Sequence, residues 1–117
     1  MPEFLHLPEI SRGDALVLTH GAGSNYQSPL LIRVARAFEQ AGVTVLRMDL
    51  PYRELRPHGP PFPAQAAQDR EGLKRAVERM RRMERGRVLL AGHSYGGRQA
   101  SMLAAQEPGL ADGLLLL

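Results

Sequence analysis

A chain of 117 residues, 44% hydrophobic and 23% charged, has room for one folded core and no more. It contains no cysteine, which excludes disulfides, thiolate metal sites and cysteine nucleophiles. The net charge of +3 comes largely from the stretch between Arg70 and Arg87, so a polyanion partner has to be judged on that stretch alone.

At the N-terminus, Met1 to Leu5 lacks a basic segment ahead of an apolar one. No secretory signal is therefore expected, and the cytoplasm is the expected compartment. Ala15-Leu16-Val17-Leu18-Thr19 is a short aliphatic and β-branched run that predicts a buried strand ending at His20-Gly21. After the loop with Gly21, Gly23, Ser24 and Asn25, Ser28 is placed to cap a helix with Pro29 at its first position. That helix runs to about Gln40, with Leu31, Val34, Ala35 and Phe38 on its apolar face and Gly42 closing it.

Val43 to Met48 predicts a second strand, ending at Asp49. The segment Leu50 to Pro63 holds five prolines and is expected to be an irregular connection of the kind that often binds ligands. A basic helix follows, ending near Arg85-Gly86. Leu73, Ala76, Val77, Met80 and Met83 recur on it at helical spacing. Its charges then occupy the opposite face, with Glu71/Arg75 and Glu78/Arg82 as i,i+4 pairs. The segment has no aromatic residue to stack on bases, so a solvated helix face is the better reading than a nucleic-acid surface. No apolar run, Leu114 to Leu117 included, approaches the length of a membrane span.

Val88 to Ala91 is a third strand, and it breaks into Gly92-His93-Ser94-Tyr95-Gly96-Gly97 before a helix from about Gly97 to Gln106. Strand, tight turn with a central serine, then helix is the layout of a nucleophile elbow, in which Gly92 and Gly96 let strand and helix pass closely. Gly113 to Leu117 predicts a fourth strand. Alternating strands and helices imply a three-layer α/β sandwich with a mostly parallel sheet.

An acyl-transfer site also needs two backbone N–H groups aimed at the developing oxyanion. One is expected from Tyr95, at the start of a helix, and the other from the turn His20-Gly21-Ala22-Gly23, with Ala22 the favoured donor. The same turn has a rival reading as a dinucleotide-binding loop, with Asp49 as the ribose acid. Tyr26 at the third glycine position, and two additional residues before the helix cap, weigh against it. No cofactor is indicated, and no histidine pair has metal-ligand spacing. None of the four histidines makes a good general base. His93 adjoins the serine, His20 is expected to organise the oxyanion turn, His58 lacks an orienting acid, and His6 reads as a surface residue. Tyr52, His58 and Phe62 are candidates for a substrate-facing wall.

No histidine follows Ser94, and Asp112 is better placed to start a strand than to orient a base. The quadruple leucine suits a sheet interior, so the chain is expected to be a single incomplete domain, residues 1–117, of a larger or truncated protein.

Thr19-His20-Gly21-Ala22-Gly23, Leu46-Arg47-Met48-Asp49-Leu50-Pro51-Tyr52-Arg53 and Ala91-Gly92-His93-Ser94-Tyr95-Gly96-Gly97-Arg98 occur in that order. Together they resemble the α/β-hydrolase family of small bacterial hydrolases related to dienelactone hydrolases, whose eukaryotic relatives include a subunit of a histone acetyltransferase complex. The resemblance spans about Asp14 to Leu117. It implies an eight-stranded, mostly parallel sheet of which this chain supplies about the first half. It also implies Ser94 as nucleophile, Tyr95 and Ala22 as oxyanion donors, and a triad acid and histidine from beyond Leu117. The expected activity is hydrolysis of a small-molecule ester. A binding or scaffold protein that keeps the fold without turnover is the alternative.

Overall fold

The computed structural model describes residues 2–117. The first buried strand lies at the centre of a five-stranded sheet rather than at its start. An additional strand, β1 (Glu3–His6), precedes it, followed by β2 (Ala15–Thr19), β3 (Thr44–Met48), β4 (Val88–Gly92) and β5 (Gly113–Leu116). Their spatial order is β1-β3-β2-β4-β5, with β1 antiparallel and the others parallel. This is the mostly parallel sheet that the alternation of strands and helices required.

Helices cover both faces. On one side α1 (Pro29–Gln40) packs Leu31 and Ala35 against Leu16, Leu18, Val45 and Ala91. On the other, α3 (Ala66–Met83) and α4 (Tyr95–Gln106) cover Val17, Leu46, Met48 and Leu90 with Leu73, Val77, Met80 and Leu103. Successive residues of β2 thus point to different layers, as a strand buried on both faces demands. No helix among the described residues is long and apolar enough to cross a membrane.

Several expectations are corrected. β1 was not anticipated, because four residues with two apolar ones flanked by two polar ones carry little signal. It places His6 inside, not on the surface: Nδ1 lies 2.7 Å from Glu39 and Nε2 accepts from Arg47 Nε at 2.8 Å. The proline-rich segment is not wholly irregular. Pro51 opens a short helix, α2 (Pro51–Leu55), where its missing N–H costs nothing, and Pro63–Gln65 form a 3-10 turn. Ser28 precedes α1 as expected but makes no side-chain cap bond. The basic helix ends at Met83, which is 44% exposed and off the buried stripe. Helix α4 begins at Tyr95, two residues earlier than expected. β5 occupies an edge of the sheet, with Leu114 and Leu116 exposed there. Asp112 starts that strand as expected, accepting from Val88 N at 2.8 Å.

The chain runs from β2 out to β3 and back across to β4, so β2 and β4 flank a point where the winding direction reverses. Loops leaving the carboxyl ends of such strands splay apart and leave a crevice. Here those loops are the Gly21 turn and the serine elbow.

Candidate active site

Ser94 has φ 53 and ψ −115, the only positive φ of a non-glycine residue among the described residues. A backbone of this kind costs about 1–3 kcal/mol and persists only where its surroundings dictate it. The surroundings are explicit. His93 N donates to Thr19 O at 3.1 Å, Gly96 N to His93 O at 3.0 Å and Arg98 N to Ser94 O at 2.9 Å. A Cβ on Gly92 would overlap the backbone of Gly96 and Gly97, and one on Gly96 would overlap the His20 carbonyl. Both glycines therefore have the close-approach role expected of them. Gly97 shares it, since its Cβ would lie 2.8 Å from Gly92 O. The result is a serine exposed at the tip of the turn.

The Gly21 turn abuts this elbow: a Cβ on Gly21 would lie 3.2 Å from both Ser94 Cβ and His93 Nδ1. His20 is fully buried, with Nδ1 2.8 Å from Gly21 O and Nε2 accepting from Leu50 N at 3.0 Å. Since Leu50 N must donate, Nδ1 carries the proton and donates to Gly21 O; the ring is neutral. Tyr52 Oη–H at 3.3 Å and Ser24 N at 3.2 Å donate to the same carbonyl. In a trans peptide the carbonyl and the next N–H point opposite ways. Drawing Gly21 O inward therefore turns the Ala22 N–H away from the core. The Tyr95 amide is the first of α4 and has no helical acceptor.

Burial holds the His20 imidazole down at about 4, with the positive field of Arg53 adding to the effect and the bond to Gly21 opposing it. Its depressed folded value means that the unfolded chain takes up this proton first as pH falls. His20 should therefore support stability fully above about 6.5, and that support should be lost as pH falls toward 4, by about 3 kcal/mol in all. Asp49 and Asp69, raised by burial, act in the opposite sense. Urea midpoints at stepped pH should show the loss, and His20→Asn, which keeps a donor near the Nδ1 position, should flatten it.

The roles of two further residues, Arg53 and Asp69, escaped the sequence reading. Arg53 is buried and donates to Ser24 O at 2.7 Å, Arg56 O at 3.0 Å and Gly59 O at 2.8 Å, tying the loop after Gly21 to the proline-rich segment. Asp69 is fully buried on α3, accepting from Tyr52 N at 3.0 Å and Tyr95 Oη at 2.7 Å. Asp49 accepts from Tyr26 N at 2.7 Å, so the acid of the rival dinucleotide reading is spent on the protein's own loop.

A cleft of about 530 Å³ opens over Ser94, lined by Ala22, Tyr95, Phe62, Ala66, Arg98, Gln99 and the prolines at 60, 61 and 63. Phe62 lines this cleft. Tyr52 does not: it is fully buried, with its hydroxyl on the Gly21 carbonyl. His58 is exposed on the loop and is not among the lining residues. Gly23, at φ 77, closes the turn with open space around it. Among the described residues no cluster of His, Cys, Asp or Glu is built to hold a metal ion.

A parallel sheet whose two glycine turns converge on a strained serine defines the α/β hydrolase fold. Residues 12–117 match the alpha/beta hydrolase domain family, and the chain belongs to it. No curated protein matches the chain. Among solved structures it is similar to an α/β serine hydrolase homologue from Coxiella burnetii, at 16% identity and a TM-score of 0.79 over 97% of this chain and 55% of that one. It is equally similar to a member of the α/β serine hydrolases without a lid from Xanthomonas campestris, at 20% identity and a TM-score of 0.79, covering 97% and 53%. A dienelactone hydrolase from Anabaena variabilis matches at 25% identity and a TM-score of 0.76, covering 97% and 55%. The chain therefore spans about half the length of these solved structures.

Proposed function

We propose that this chain carries the nucleophile and oxyanion half of a serine hydrolase acting on carboxylic esters. The observation that supports it most directly is Ser94, exposed on a positive-φ turn beside a cleft that Ala22 and Tyr95 also line. In this reading Ser94 Oγ attacks the ester carbonyl while its proton passes to a histidine. The Ala22 and Tyr95 amides hold the oxygen that becomes negative. Collapse expels the alcohol, which takes the proton from that histidine, and water then cleaves the acyl-enzyme. His20 is engaged at both ring nitrogens, His6 lies on the far edge strand, His93 adjoins Ser94 and His58 does not line the cleft, so the proposal takes the histidine and its acid from residues other than these 117. The apolar Phe62 and proline wall suits a small-molecule ester.

The test is a fluorophosphonate probe applied to the full protein, with the adduct mapped by mass spectrometry. A single adduct on Ser94 is the expected result. Absence of any adduct on folded protein would overturn the hydrolase reading and favour a binding or scaffold role.

A further inference from the structure

The two oxyanion amides come from separate turns, yet one buried side chain reaches toward both. Asp69 sends one carboxylate oxygen to Tyr52 N at 3.0 Å and the other to the Tyr95 hydroxyl at 2.7 Å. Tyr95 supplies one oxyanion amide from its own backbone. Tyr52 donates its hydroxyl to Gly21 O at 3.3 Å, and that peptide carries the other amide, the Ala22 N–H. The two tyrosine rings meet edge to face with centroids 5.6 Å apart, so they cannot shift independently. Arg70, next in sequence, bonds to Gln99 instead, which leaves Asp69 to the tyrosines.

Asp69 also occupies a position where burial argues against an acid. It continues the stripe of Leu73, Ala76, Val77 and Met80, and a leucine there would pack without desolvating a charge. We infer that Asp69 is a positioning residue that sets both oxyanion amides from one carboxylate, so that the docking of α3 determines the geometry in which Ser94 works. The inference rests on the hydrolase reading of Ser94 and adds a residue that never touches substrate.

The experiment compares Asp69→Leu, Asp69→Asn, Tyr95→Phe and Val77→Ala in the full chain. The last removes buried volume from the same helix and serves as the control for general destabilisation. Two quantities are read: kcat and KM on p-nitrophenyl acetate, and the ¹H–¹⁵N signals of the Ala22 and Tyr95 amides. Oxyanion contacts act in the transition state, so Asp69→Leu should lower kcat by about tenfold to a hundredfold with KM little changed. Both amide signals should move together. Asp69→Asn, which keeps two polar contacts, should recover most of the rate, and Tyr95→Phe should reproduce part of the loss. Val77→Ala should leave kcat and both signals in place.

If Asp69→Leu behaves like Val77→Ala, or moves the Tyr95 signal without that of Ala22, the inference is overturned. If Asp69→Leu does not fold, Asp69→Asn and Tyr95→Phe decide the matter by the same readouts. Wild-type protein that neither hydrolyses the ester nor takes the phosphonate refutes the hydrolase reading instead. The paired amide shifts still judge Asp69 in that case.

Discussion

Ser94→Ala is expected to lower ester hydrolysis by the full protein at least about a thousandfold and to abolish phosphonate labelling, because no other group takes over the covalent step. The substitution should hardly change stability. Alanine at φ 53 carries the same backbone strain as serine, and the lost hydroxyl is exposed. Equal thermal midpoints with lost turnover would therefore separate chemistry from folding. Ser94→Gly makes a sharper comparison. Glycine tolerates this backbone, so the variant should gain about 1 kcal/mol of stability while being equally inactive, after allowing for glycine's greater chain entropy. A Ser94→Ala protein that retains full turnover would place the nucleophile elsewhere.

Gly96→Ala is expected to be among the most damaging additions of a single methyl group to the described residues. Its Cβ would overlap the His20 carbonyl oxygen and lie 2.8 Å from Thr19 Cγ2, both on the central strand's exit and neither free to move. Overpacking against backbone of this kind costs about 3 kcal/mol or more, a large share of the roughly 5–15 kcal/mol that holds a domain together. Gly23→Ala adds the same methyl at φ +77 but meets nothing within 4 Å. It should lose only the conformational penalty, about 1–2 kcal/mol. Denaturant midpoints of the two variants check the contrast. Equal losses would mean that helix α4 does not approach β2 as closely as described.

The parts of this site legible in the sequence are those written locally. Gly92-His93-Ser94-Tyr95-Gly96 carries its own steric logic, and Ala15 to Thr19 is a strand at the bounds its composition indicates. The role of His20 follows from its place beside the glycine turn. What escaped is held by contacts between distant segments. Tyr52 looks like a loop aromatic until α2 folds it under the Gly21 carbonyl. Arg53 reads as a surface charge, although its acceptors are backbone carbonyls of two different loops. Asp69 did leave a trace, since an acid four residues before Leu73 sits on the buried stripe of the helix, where its other charges do not. β1 left almost none: it is held by antiparallel pairing with the sequence-distant β3 and by Glu3 receiving both terminal nitrogens of Arg79.

The pairing of β2 with β4 bears on the order in which the molecule folds. The bond from Arg87 N to Asp14 at the foot of these strands joins positions 73 apart in sequence, so a long loop must close before the ladder can form. Until it closes, neither the Thr19 carbonyl nor the His20 carbonyl is present to force Ser94 into its unusual backbone. The strain can therefore enter only once this ladder has formed. Relieving it with Ser94→Gly is expected to slow unfolding more than it changes the rate of folding, and stopped-flow traces would show the strain as a shortened lifetime of the native state.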